Sequence, residues 1–166
     1  MEIAALRPDA DPRQIEQARV LLNDYYDFAR GSTGTGFRMG KLEREIAELP
    51  HSYAPDLGLL LIATEGTEAA GCVAYRPLPE ITDERAAEVK RLWVSPGHRG
   101  TGLARDLMLR LIDEARQAGF SALYLDTEID RMAGALRLYR SLDFTDCDPF
   151  RESNNSIVFL RRSIGT

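Results

Sequence analysis

At 166 residues, with Asp and Glu (26) outnumbering Lys and Arg (21) for a net charge of −5, and with 44% hydrophobic residues, the chain has room for one domain with its own core and none for a second catalytic unit. The acidic balance excludes a nucleic-acid binder that relies on net positive charge, two cysteines exclude a disulfide scaffold, and no stretch approaches the ~20 apolar residues of a membrane span. Cys72, Cys147, His51 and His98 lack metal-ligand spacing, so no metal is expected; with no basic-then-apolar leader in Met1 to Arg13, the expected location is the cytoplasm.

In chain order, Glu2 to Leu6 reads as a short strand, and a Pro- and Asp-rich turn separates it from Arg13 to Arg30, where Ile15, Ala18, Leu21, Leu22, Tyr25 and Tyr26 recur at helical spacing. The small residues of Gly31 to Gly36 support no packed element, and a short helix from Lys41 to Leu49 is stopped by Pro50. Leu57 to Thr64 and Ala70 to Arg76 read as strands joined by a hairpin turn at Glu65 to Glu68, and Ala86 to Val94 as a third. A helix from Leu103 to Ala118 carries a continuous apolar stripe and ends at Gly119. Ala122 to Asp126 is a strand, Met132 to about Leu142 a helix, and Ile157 to Leu160 the last strand. This order predicts an α/β fold in a single domain over 1–166, with a mixed central sheet flanked by helices and a parallel strand–helix–strand unit from Ala86 to Asp126.

The segment from Ser95 to Ala104 joins that unit's first strand to its helix. Gly100 and Gly102 let backbone N–H groups converge without a Cβ, and the helix start adds unpaired donors and partial positive charge, which together make an anion site. Arg99 and Arg105 add charge. An ordinary strand-to-helix connection uses glycine in the same way. No Gly-Lys-Ser/Thr follows, so a Walker-type loop fails. A dinucleotide site would use Asp126 for the ribose, but the third glycine is missing, with Arg105 in its place.

Arg99-x-x-Gly102-x-Ala104 after Leu92-Trp93-Val94 resembles the acyl-CoA-binding motif of the GNAT superfamily of N-acyltransferases. The strand Glu88 to Val94, the helix to Gly119, the strand Leu123 to Thr127 and the segment Ala135 to Phe144 arrive in that family's order. The resemblance is strong over about 88–144 and looser elsewhere. It implies a GNAT-like fold, acetyl-CoA as co-substrate, and transfer of an acetyl group to a primary amine of a small molecule or peptide. Its pyrophosphate would rest on backbone N–H groups of Gly100, Thr101, Gly102, Leu103 and Ala104, with Arg99 and Arg105 nearby, and its pantetheine arm would pair with the strand edge at Leu92 and Val94. Tyr139 stands where the family carries its thiolate-facing tyrosine, so the resemblance implies a general acid; helical spacing with Leu136 and Leu142 fits a core aromatic equally.

Glu88, six residues before Val94, matches a base proposed in some members, against a structural reading as a paired strand carboxylate; Asp126 and Glu128 are weaker alternatives. Alternation puts Glu88, Lys90, Leu92 and Val94 on one face unless a bulge intervenes. Two positions depart from the family: Met132 replaces a frequent Asn, and Asp143 replaces the usual glycine before Phe144, a position where Asp is better tolerated than most residues. Tyr25, Tyr26, Phe28 and the Gly31 to Gly40 loop are expected to cover the acceptor, with Phe150 to Asn155 as its other wall. No nucleic-acid or membrane partner is expected, a homodimer is left open, and a non-catalytic acyl-CoA-binding or sensor module is the alternative function.

Overall fold

The N-terminal helix begins where its sequence satisfies its own first turn. Asp11 accepts the Gln14 N–H at 2.9 Å, Gln14 Oε1 accepts the Asp11 N–H at 3.3 Å, and Pro12 occupies the first turn, where an N–H is not missed. A computed structural model describes the backbone of residues 1–30, 39–130 and 133–165. Its elements are β1 (Glu2–Ala5), α1 (Pro12–Ala29), α2 (Met39–Ala47), β2 (Leu59–Glu65), β3 (Glu68–Pro77), β4 (Ala86–Val94), α3 (Leu103–Gln117), β5 (Ala122–Glu128), α4 (Ala133–Ser141), β6 (Thr145–Asp146) and β7 (Ile157–Ser163). Every expected element is present. Helix α2 starts and ends two residues earlier than the Lys41 to Leu49 reading, and β7 runs three residues past Leu160. The two-residue β6 is new, since so short an edge carries no periodicity.

The sheet order is β1-β2-β3-β4-β5-β7-β6. Neighbours are antiparallel except β4 and β5, which run parallel and pair only at Ala86–Ala122, Ala87–Leu123 and Glu88–Tyr124. Beyond Glu88 the two strands part.

Helices cover both faces. The α3 stripe of Leu103, Leu107, Met108, Leu111, Ile112 and Ala115 packs with Tyr139, Leu142 and Phe144 on one side. Ala18, Leu21 and Leu22 of α1 and Leu42 and Ile46 of α2 pack on the other. Burying such stripes, at about 25 cal/mol per Å² of apolar surface, is the main force holding helices to sheet. Helix α3 closes as its sequence predicts: Gly119 (φ 89°) takes the left-handed position, its N–H donates to Arg116, and the Phe120 N–H reaches Ala115. Asp143 fills the same kind of position with φ 64°. No helix among the described residues is long and apolar enough to cross a membrane.

Strand β4 contains a bulge. Cys72 faces Trp93 and Ala74 faces Lys90, so the single Val73 opposes both Arg91 and Leu92, and Arg91 has φ 62°. The extra residue reverses the alternation. Ala87, Val89, Leu92 and Val94 turn to the α3 layer, whereas Arg91 and Trp93 face the α1–α2 layer. Glu88 and Lys90 therefore do not share a face with Leu92 and Val94, as unbroken alternation would require.

Candidate active site

On the α3 side, the chain leaves Val94 through a short 3-10 turn at Pro96–His98 and enters α3 at Gly102. Gly100 (φ 74°) and Gly102 (φ 87°) are left-handed, and a Cβ placed on either would meet nothing within 4 Å, so the turn presents bare backbone to open space. No side chain caps α3, which leaves its first N–H groups available to an anion. The Thr101 hydroxyl is engaged with the His98 carbonyl at 2.6 Å. This cradle of N–H groups, beside the unpaired edge of β4 beyond Glu88, suits a pyrophosphate with an amide-bearing arm.

The two arginines near the turn are anchored elsewhere through part of their side chains. Arg99 Nε donates to the Val94 carbonyl at 3.0 Å and its guanidinium lies 4.9 Å from the Trp93 ring centre. Arg105 donates to the Ser141 hydroxyl at 3.2 Å, tying α3 to α4. Leu92 and Val94 are half-buried apolar contacts of the core, and Leu103 is buried in it. Ala104 is half-buried in the first turn of α3.

Tyr139 is buried in the α3–α4 layer, 5.9 Å ring to ring from Phe144. Burial pushes its phenol well above the ordinary tyrosine value, and Tyr25 and Asp126, which belong to the opposite layer, push the same way. Such a phenol is protonated at neutral pH.

On the α1–α2 side stands a cluster of charges. Arg151 Nη2 donates to both oxygens of the buried Glu88 at 2.5 and 2.6 Å, and Nη1 donates to Asp126 at 3.2 Å. Lys90 Nζ lies 3.7 Å from Glu88. Burial raises the Asp126 carboxyl above the ordinary aspartate value despite Arg151, and burial lowers the Lys90 ammonium. Further along β5 the buried Glu128 has one carboxylate oxygen without a hydrogen-bond partner among the described residues.

Beside this lies a second charged group. Glu45 of α2 is buried and accepts from Arg76 Nη2 at 2.8 Å, Arg91 Nε at 3.1 Å and the Tyr53 hydroxyl at 2.8 Å. Burial alone would raise its carboxyl, but the charges of Arg91 and Arg76 hold it below the ordinary glutamate value. The Arg91 guanidinium lies 5.6 Å from the Tyr25 ring centre, and Tyr26 donates to Glu43 of α2 at 2.7 Å. Phe28 packs on Trp93 at 5.5 Å.

The structure joins Glu88 and Asp126 through Arg151 where β4 and β5 part, with the glycine turn at the end of β4, and places Tyr139 in the α3–α4 layer against Phe144. Phe150 to Asn155 contributes Arg151 to that gap, a residue that sequence reasoning passed over. Glu45 was also missed, although one signal existed: Leu42, Glu45, Ile46 and Leu49 fall at i, i+3, i+4 and i+7, so a carboxylate occupies a core position. Met132 and, of the Gly31 to Gly40 loop, Gly31 to Arg38 lie outside the described residues. His98 is a buried turn residue facing Glu65 at 3.2 Å, and the buried Cys72 thiol donates to the Arg91 carbonyl.

Comparison with known proteins agrees with this fold. The model of the acetyltransferase (GNAT) family matches residues 18–144. An uncharacterized N-acetyltransferase of Schizosaccharomyces pombe is 29% identical over 153 residues, covering 90% of this chain and 88% of that protein. The IAA acetyltransferase of Azospirillum brasilense is 41% identical over 96 residues, covering 58% of this chain and 60% of that one. Among solved structures, that of yncA from Salmonella typhimurium with its cofactor acetyl-CoA superposes with a TM-score of 0.72 at 20% identity, over 99% of this chain and 95% of that one. A single seven-stranded mixed sheet with helices on both faces, a glycine turn at the mouth of its parallel pair, and a family match over well over half its length all agree: this chain belongs to the GNAT acetyltransferase family.

Proposed function

We propose that the protein transfers an acetyl group from acetyl-CoA directly to a primary amine of a small molecule or peptide, within a complex holding both substrates. The observation that carries this reading is the bare left-handed turn at Gly100 and Gly102, whose open N–H groups fit a pyrophosphate and whose surroundings a side chain would fill. Backbone N–H groups of Gly100, Thr101, Gly102, Leu103 and Ala104 hold the phosphates, with Arg99 and Arg105 adding charge. The free edge of β4 at Leu92 and Val94 pairs with the amide-bearing arm and polarises the thioester carbonyl. Acetyl-CoA, when bound, supplies the activated acyl group.

Tyr139 then serves as acid. Burial keeps it protonated and also makes it a weaker acid than free tyrosine, so it donates a hydrogen bond as charge builds on sulfur and gives up its proton late. Glu88, through water, accepts the proton that the amine must lose. An incoming ammonium competes with the Arg151 guanidinium for Glu88 and Asp126. The two cations carry equal charge, so the exchange leaves neither carboxylate unpaired. Asp126, its carboxyl raised by burial, and Glu128 are the alternative bases.

A second reading draws on the same contact. If Arg151 never leaves Glu88, the protein binds acyl-CoA without transferring it and acts as a sensor.

An acceptor screen with saturating acetyl-CoA and detection of released thiol tests both readings. We expect thiol release with a subset of amines, amino acids or peptides. A thermal shift with acetyl-CoA but no release across the panel supports the sensor, and absence of acyl-CoA binding by calorimetry overturns both.

A further inference from the structure

We infer that Glu45 is a positioning residue for the acyl donor: it pins the Arg91 side chain and thereby holds the bulge that decides which residues of β4 face the donor layer. The inference rests on the acyl-CoA reading above. Arg91 and Asp143 are the two non-glycine residues with positive φ among the described residues, and Arg91 lies within a strand. For a residue with a Cβ that conformation is disfavoured by roughly tenfold or more in population. Something must hold it.

What holds it is a carboxylate delivered from another element. Arg91 is 5% exposed, and its Nε and Nη2 donate to the two oxygens of Glu45 at 3.1 and 3.3 Å. Glu45 is in turn fixed by Arg76 and the Tyr53 hydroxyl, and its own carbonyl accepts the Ser52 hydroxyl at 2.7 Å. The main chain at Arg91 is held as well, by the Cys72 thiol donating to its carbonyl at 3.2 Å. Glu45 thus sits in a frame that does not depend on Arg91, and can act on it.

The consequence lies two residues on. With the bulge in place, Leu92 and Val94 turn to the α3 layer beside the glycine turn; without it, alternation would send them to the α1–α2 layer, because a one-residue slip inverts every side chain and every hydrogen-bonding group that follows. Glu45 is buried with both oxygens engaged by Arg76, Arg91 and Tyr53, so it sets the geometry of the donor edge from the far face of the sheet.

The test uses the two features separately. Glu45→Gln keeps shape and loses charge, and we expect acetyl-CoA affinity to fall about tenfold, the factor by which the bulge conformation is disfavoured once unpinned. Adding Arg91→Gly removes the surplus cation and supplies a residue that adopts positive φ unaided. The Glu45→Gln/Arg91→Gly protein should recover most of the affinity, and Glu45→Gln/Arg91→Val should not. A purely structural salt bridge predicts the opposite order, because valine rather than glycine suits a regular strand. Affinity unchanged in folded Glu45→Gln, or no recovery with glycine, overturns the inference. If Glu45→Gln does not fold, the single variants decide: Arg91→Gly should bind acetyl-CoA clearly better than Arg91→Val, and equal binding overturns it. Amide exchange at Arg91 to Trp93 in ligand-free protein should follow the same pattern. If wild type binds no acetyl-CoA, the acyl-CoA reading has failed and the exchange pattern alone decides the pin.

Discussion

The two sides of the sheet meet at one gap and are built of different material. On the α3–α4 side the site is backbone: a glycine turn with open N–H groups, an uncapped helix start and a free strand edge, with arginines partly committed to other anchors. On the α1–α2 side it is side chains: Glu45 with Arg76 and Arg91, and Glu88 with Asp126, Lys90 and Arg151. A backbone site tolerates almost any side-chain chemistry beside it, which suits a co-substrate common to a family. A site made of paired charges can be retuned one residue at a time, which suits an acceptor that differs from member to member.

The sharpest way to break this contrast is to put a side chain into the backbone half. Gly102→Glu adds bulk, negative charge and a strained φ to the cradle, and acetyl-CoA affinity should fall by more than about a hundredfold in calorimetry. Binding that survives would mean that side chains, not the turn, hold the donor. A smaller effect is expected at Tyr139: Tyr139→Phe keeps the ring packing against Phe144, and should lower kcat by roughly a hundredfold while acetyl-CoA affinity stays essentially intact. An unchanged rate would remove Tyr139 as acid and leave it a core aromatic.

The smallest effect probes the charged half through stability. The folded Glu45 carboxyl lies below its unfolded value of about 4.3, so the stability it contributes is complete above that pH and is lost as pH falls through the lower folded value. In urea unfolding, the gap between wild type and Glu45→Gln should be constant near neutrality and narrow on acidification below about pH 4. A gap independent of pH would show that the charge contributes nothing.

The same contrast explains what could be read from the sequence. The glycine turn, the α3 stripe and the Gly119 cap are local patterns, each complete within a few residues, and each stands in the structure where the pattern put it. The charged groups are not local: Arg76 meets Glu45 across 31 positions, Arg91 meets it across 46, and Arg151 meets Glu88 across 63. No periodicity links such residues to one another: the α2 spacing marks Glu45 as a core carboxylate but does not name its partners, and Arg76 and Arg151 alone read as ordinary surface charges. The bulge was foreseen only as a condition on the alternation argument. Its cause, a left-handed arginine pinned from α2, depends on a contact that exists only after folding. Tyr139 was legible as an acid only through the resemblance, since spacing with Leu136 and Leu142 fits a core residue.

The parallel pair at the centre has a mechanical side. Only Ala86, Ala87 and Glu88 are paired with β5, so the four-stranded β1–β4 half and the three-stranded β5–β7–β6 half share a seam three residues long. Arg151, carried on the segment before β7, reaches across it to Glu88 and back to Asp126, acting as a strap beside a short hinge. An acceptor that takes Glu88 from Arg151 would loosen the strap at the moment the cleft is filled, so occupancy of the acceptor side would set how freely the two half-sheets flex.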